Sequence, residues 1–299
     1  MPNPTVASSG EGDLEYIQML RDFVEDTPVF SPQQISGNGT SSEYRLGQFP
    51  VWDGDLNFVV SVGGAPQTVV TSRTGLGAGQ VYIDYETGWM FFGSAPGAGS
   101  NNIQIRCSKV RWRDIKLKQA LYAGMAAMFP RLWQKKVDQS SITLQVNQWD
   151  YPLPGSDWAD PRTRLYSVEV QLVPNSYERF QPMQIWRRAG FNILHIPYSQ
   201  QYPPGGILRL EWAGPYSALS DLEPQVRQLP LWYAKGYLLS NRETVRTRFD
   251  QANVTQGEQA NPPGSSQNAG AFFMRQFEQE LVRMTKPMPM APIQYSYTR

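Results

Sequence analysis

His195 is the only histidine and Cys107 the only cysteine in 299 residues. Most nucleophilic and zinc chemistry needs one or both held in a fixed geometry, so these two positions bound what the chain can do. His195 lies in "FNILHIP", an alternating stretch that predicts a strand, where a histidine packs or meets solvent. A Ser-His-Asp arrangement would have to use it, yet no serine stands in a G-x-S-x-G turn. One Cys and one His do not make the usual zinc site. Cys107, in "NIQIRCSKV", reads as a small buried hydrophobe. A lone cysteine excludes an intrachain disulfide, so the fold does not depend on an oxidising compartment.

Carboxylates are the remaining candidates: Asp53 and Asp55 in "WDGD", Asp84 and Glu86 in "DYE", Asp157 and Asp160 in "GSDWADP". None has the spacing of an EF-hand loop. Each sits beside Gly or Pro, where Asp stabilises turns. Paired acid and base carboxylates of a glycosidase depend on a separation that sequence does not contain, so that reading stays open. "GLGAGQ" and "GSAPGAGS" lack the Lys-Ser/Thr ending of a phosphate loop and join strand to strand. No catalytic residue, cofactor or metal is implied, and the chain reads as a non-enzyme.

The elements that would position any site follow from periodicity. "MPNPTVASSGEG" is small and polar, a flexible arm over 1–12. Leu14, Ile17, Leu20 and Val24 share a helical stripe, with Asp13 placed to cap. From 45 to 110 the period becomes two, in a glycine-rich meander of short hairpins that reads as an inserted β module. "WRDIKLKQALYAGMAAMF" is the clearest helix: Asp114 caps it, and Leu117, Leu121, Met125 and Met128 line one side. Gly124 and its alanine neighbours admit a close partner, and Pro130 stops the helix. Residues 13–44 and 111–139 thus form a helical region, 140–215 a β-sandwich or sheet, 216–250 a C-terminal helix, 251–270 a linker, and 271–299 a short helix with an extended tail. The class is α+β: helical segments flanking a central antiparallel β-sandwich or sheet, with an inserted β-hairpin module and extended termini.

Composition sets the setting. Hydrophobic residues are 40%, charged residues 18% and aromatics 12%, which excludes a chain disordered throughout. No positive start leads into an apolar run, which predicts no secretory leader. No apolar run approaches the roughly 18 residues a bilayer needs. A reducing, aqueous compartment is expected.

Net charge is +1, unevenly spread. Glu11, Asp13, Glu15, Asp22, Glu25 and Asp26 fill the first 30 residues against Arg21 alone. Nine basic residues lie between 106 and 136 against Asp114 alone. Segregated signs suit head-to-tail contacts between copies or a charged ring lining; a solvated helix face with counter-charges elsewhere in the fold is the alternative. Arg111, Arg113, Lys116, Lys118, Arg131, Lys135 and Lys136 form the candidate basic surface, facing a neighbour or DNA. The six acids form its candidate partner.

The order of parts then resembles the head-to-tail connector (adaptor) proteins of tailed bacteriophages. There, a helix close to "AL..A...LFP.LW" leads to "D.S", "T..... Y.LP" and "I..VEV". The matching residues here are Ala120, Leu121, Phe129, Pro130, Leu132, Trp133, Asp138, Ser140, Thr143, Tyr151, Leu153, Pro154, Val168, Glu169 and Val170. "VYIDYETGWMFFGSAPGAGSNNIQI" is similar to a strand pattern of phage virion modules, and "LPLWYAKGYLLSNRE" resembles the helix closing many connector subunits. The resemblance covers roughly 80 to 245.

It implies a virion subunit, usually one of twelve in a homo-oligomeric ring, seated between the portal protein and the tail or tail-terminator proteins. Such a ring lines the DNA exit channel with transient, non-specific contact to phage DNA. Assembly in the host cytoplasm and residence in the virion neck, without membrane contact, are the expectations. Another virion β component (terminator, fibre or decoration protein) or a virion-associated glycan hydrolase are the alternatives.

Overall fold

A computed structural model describes residues 11–55, 58–171, 180–183, 185–190, 192–197, 202, 204–250 and 265–290. Most of the expected N-terminal arm, residues 251–264 of the linker and 291–299 of the tail lie outside the described residues. The chain is α+β and divides into two compact units, residues 1–121 with 234–270 and residues 122–233 with 271–299.

The first unit opens with α1 (Glu11–Phe23). Ile17, Leu20 and Val24 are buried as the periodicity predicts, but Leu14, read into the same stripe, is 53% exposed, and Tyr16 takes its place in the core. The helix begins ahead of Asp13, so this carboxylate does not cap it; it meets Lys118 at 2.6 Å. At the other end Glu25 takes φ +56°. The Asp26 amide then donates back to the Arg21 carbonyl at 2.9 Å and Glu25 to Asp22 at 3.2 Å, closing the helix with a left-handed residue.

Nine strands follow: β1 (Val29–Phe30), β2 (Gln33–Gly37), β3 (Glu43–Arg45), β4 (Val59–Val62), β5 (Ala65–Val70), β6 (Gln80–Ile83), β7 (Trp89–Phe92), β8 (Gly99–Arg106) and β9 (Ser108–Lys109). β1 pairs with β9, and the other seven form one sheet in the order β2-β8-β4-β5-β6-β7-β3. Gly63 and Gly64 both have positive φ, the geometry of a two-residue hairpin turn between β4 and β5. The meander expected over this region survives only in the β4–β5 and β6–β7 hairpins: β8 crosses to lie between β2 and β4, β3 lies beside β7, and β5 and β6 pair in parallel. A tight turn cannot join parallel strands, and the glycine-rich stretch 71–79 supplies the crossover. Val60, Val81, Ile83, Met90, Phe92, Ile103, Ile105 and Cys107 make the core of this unit.

α2 (Asp114–Met128) buries Leu117, Leu121, Met125 and Met128, the stripe read from sequence. α3 (Gln228–Asp250) and α4 (Ser265–Arg283) are the other α-helices among the described residues, and the division between units falls inside α2, α3 and α4. Gly124 explains the small residues of α2: a Cβ there would lie 3.0 Å from both Pro230 Cα and Tyr233 Cβ of α3. α4 begins at Ser265, ahead of Ala271 where periodicity starts it, and Gly270 lets its second turn approach Gly236 and Ser240. Lys235 of α3 donates to the Phe23 carbonyl at the end of α1, at 2.6 Å.

The second unit is a small sandwich. β10 (Gln134–Asp138), β12 (Arg164–Gln171), β13 (Gln181–Pro182) and β16 (Ile207–Gly214) form an antiparallel sheet ordered β10-β16-β12-β13. β11 (Asp150–Pro152), β14 (Arg187–Ala189) and β15 (Ile193–His195) form the other, ordered β11-β15-β14. Leu165, Val168, Val170, Leu208, Leu210 and Trp212 of the first sheet share one buried cluster with Tyr151, Trp186 and Leu194 of the second. The positive link read at 134–138 is itself an edge strand, whose lysines are typical of a sheet edge.

Candidate functional site

The stretch from the end of α2 to β11 carries most of the residues that match the connector pattern, and several of them have a structural task. Phe129 and Leu132 are buried, and the Phe129–Pro130 peptide is cis. Arg162 donates to the Phe129 carbonyl at 2.9 Å and lies over its ring. Asp138 ends β10 by accepting from the Ser141 hydroxyl at 2.8 Å and its amide at 3.2 Å. Tyr151 is almost wholly buried, and its hydroxyl is spent on one turn. It accepts from the Gln145 amide at 3.1 Å and donates to the Gln148 carbonyl at 3.0 Å. Asn147, at φ +57°, completes that turn. Its two large apolar side chains point outward, Val146 70% and Trp149 50% exposed.

The candidate basic surface is largely neutralised within the chain. Arg113 meets Asp53 at 3.1 Å, Lys118 meets Asp13 at 2.6 Å, and Lys116 pairs with Glu86. Arg131 meets Glu278 at 2.6 Å, Lys135 meets Glu211 at 2.8 Å, and Lys136 meets Asp157 at 2.7 Å. The Glu211 hydrogen bond raises the Lys135 ammonium above its ordinary value. Arg111 alone of the seven has no carboxylate partner among the described residues; its guanidinium rests over Trp112. The seven therefore form no continuous field of unpaired charge.

The acidic set divides. Asp26 is buried, accepts the Arg111 and Trp112 amides at 2.6 and 3.0 Å, and pairs with Arg21; it presents nothing to a partner. Asp13 is held by Lys118. Glu15, Asp22 and Glu25 are exposed, Asp22 accepting from the Gln18 amide group. Glu11 opens α1.

The carboxylates considered for chemistry hold structure. Asp53 accepts from the amide of Asp114 at 3.3 Å, at the start of α2. Asp84 gathers the Glu86 and Thr87 amides and, at 2.6 Å, the Thr87 hydroxyl, shaping the turn into β7. Asp157 accepts from Trp212 at 3.0 Å, and Asp160 grips Arg162 at 2.7 Å. The guanidinium of Arg162, ahead of the burial that opposes it, holds Asp160 below the usual carboxylate range. His195 Nδ1 lies 2.6 Å from Asp150 Oδ1 across β15 and β11, with Arg187 opposite on β14. No serine hydroxyl bonds to this pair among the described residues. No group of three His, Cys, Asp or Glu side chains suited to a metal is found among the described residues either. No helix among them is long and apolar enough to cross a membrane.

Two surfaces escaped the sequence reading. A depression of about 490 Å³ is lined by Arg131, Arg162, Arg164 and Lys286 with Pro130 and Met288. Its cations come from three separate segments, so no local run announced it. The second is an aromatic face on β6 and β7. Its signal was "WMFF": four large apolar residues in one strand cannot all face inward, so two of them must meet solvent.

No family model matches the chain, and no curated protein matches it.

Proposed function

We propose that the chain is a structural virion protein of a tailed bacteriophage, a ring-forming head-to-tail adaptor that joins portal to tail and lines the DNA exit channel. Its partners are copies of itself, the portal protein and tail or tail-terminator proteins, with transient contact to DNA. It works in the virion neck after assembly in the host cytoplasm, and no bond is made or broken.

The Tyr151 turn is the observation that carries this reading. A buried tyrosine from the connector pattern fixes a turn whose outward side chains are Val146 and Trp149. An apolar tip held rigid before any partner arrives loses little freedom on docking. Tryptophan is also a frequent anchor of protein interfaces. The depression beside Arg131, Arg162, Arg164 and Lys286 offers little free charge, since Arg131 meets Glu278, Arg162 meets Asp160 and Lys286 meets Glu223. Because most of the basic residues are already paired, apolar contact rather than ionic pairing drives assembly.

Native mass spectrometry of the purified full chain tests it. Twelve copies are expected, with assembly persisting at about 1 M salt, where exposed charge pairs are screened within about 3 Å. Trp149→Asp should shift the population to smaller species. A hexamer would favour a tail terminator and a trimer a fibre; a monomer at every concentration would overturn the ring.

A further inference from the structure

The outward face of β6, β7 and β3 carries aromatic rings where an antiparallel sheet facing water ordinarily carries polar groups. Alternation along β7 sends Met90 and Phe92 into the core and Trp89 and Phe91 out. Register then sets the face. Tyr82, Phe91 and Glu43 lie directly opposite one another on the three strands, and Arg45 lies opposite Trp89. Ring centroids are 6.1 Å apart for Tyr82 and Phe91 and 6.3 Å for Phe91 and Trp89, the latter planes only 28° apart. The result is a near-continuous aromatic strip, Trp89 being 39% exposed.

Polar groups of both signs edge that strip. The Arg73 Cζ lies over Phe91, 3.6 Å from the ring centroid, and the guanidinium meets Glu43 at 3.1 Å. Arg45 donates to the Thr87 carbonyl at 3.2 Å and flanks Trp89. Asp84 is held in place by Thr87. Glu43, Arg73, Asp84 and Thr87 line, with the three rings, a depression of about 460 Å³. We infer that this depression binds a neutral glycan, with the C–H face of a sugar ring on Trp89 and its hydroxyls bonded to Glu43, Asp84 and Arg73.

The chemistry selects that class. The depression is lined by one guanidinium and two carboxylates, with Arg45 outside it beside Trp89, so it holds no excess of cations, which disfavours a phosphate backbone, whose binding rests on them. A neutral polyol uses both signs: each hydroxyl donates to a carboxylate and accepts from a guanidinium, in charge-assisted bonds stronger than neutral ones. The volume falls in the ordinary range for small-molecule sites. A second protein copy would need about 800 Å² of face per partner, more than a depression lined by seven residues offers. Nothing here depends on ring formation, so a monomer that binds and a ring that does not are both readable results.

The experiment is isothermal titration of the full chain with cellohexaose, maltohexaose and chitohexaose, and with oligo(dT) as a charged comparison. At least one hexasaccharide should bind with a Kd of about a millimolar or tighter. Trp89→Ala should weaken it by tenfold or more, while Trp89→Phe retains most of the affinity and shows that β7 still folds. Phe272→Ala, an exposed ring on α4, should change nothing. Absence of binding by all three sugars, binding indifferent to Trp89→Ala, or displacement of the sugar by oligo(dT) would each overturn the assignment.

Discussion

Arg21 and Asp26 meet at 2.9 Å with side chains only 1% and 4% exposed, so the end of α1 is organised around a buried ion pair. Arg21 also reaches Asp114 and the Trp112 carbonyl, at 2.5 and 3.1 Å. One guanidinium therefore ties α1 to the start of α2. Removing it strands Asp26 in the interior, and breaking such a pair costs about 3–5 kcal/mol. Arg21→Met should lower the denaturant midpoint by a corresponding amount, while Glu15→Gln on the exposed side of the same helix leaves it within error.

Tyr151→Phe keeps the ring in the sandwich core and removes only the hydroxyl that holds residues 145–148. Losing a hydrogen-bond partner at a part-buried amide costs about 1–3 kcal/mol. Thermal unfolding should show that modest loss. Native mass spectra should show a larger one, because Val146 and Trp149 no longer sit in a prepared position. Equal effects on stability and assembly would argue against preorganisation.

Gly124→Ala sets helix propensity against packing. Alanine gains up to about 1 kcal/mol in a helix interior. Its Cβ, however, would stand 3.0 Å from the Cα of Pro230, and overpacking of this kind costs about 1–3 kcal/mol. Net destabilisation is expected in a urea titration. Gly270→Ala should cost at least as much, since its Cβ would fall 2.9 Å from the Gly236 carbonyl oxygen.

Burial opposes ionisation of Asp84, but the Thr87 hydroxyl and the Glu86 and Thr87 amides outweigh it and hold the carboxyl below its usual value of 3.8. A depressed carboxylate contributes stability that is fully present above the unfolded pKa and disappears as pH falls through the folded one. The stability advantage of the natural chain over Asp84→Asn should therefore shrink between about pH 5 and pH 2 and stay constant above that window. Urea titrations at stepped pH measure it; an advantage that grows on acidification would contradict the assignment.

Some of this was readable in advance and some was not, for identifiable reasons. α2 was legible because Leu117, Leu121, Met125 and Met128 repeat at helical spacing and all of them pack. The Gly63–Gly64 turn was legible because only a local conformation was at stake. The parallel pairing of β5 with β6 was not, since strand direction is set by what the crossover can reach. Charge was read least well. Lys135, Lys136 and Arg131 look like a patch because they are neighbours in sequence. Their partners Glu211, Asp157 and Glu278 come from remote positions that only the folded register brings near. "WMFF" held a clue to the aromatic face, but Arg45 and Arg73, which complete it, are scattered.

Cys107 lies among the core side chains with no accessible surface, and burial pushes its thiol above the ordinary value. It is also the only cysteine in the chain. A maleimide dye applied to the native protein will therefore ignore it and mark any cysteine introduced at the surface. The natural background is silent, and donor and acceptor dyes placed at Val146 on separate copies can report how near neighbouring subunits come.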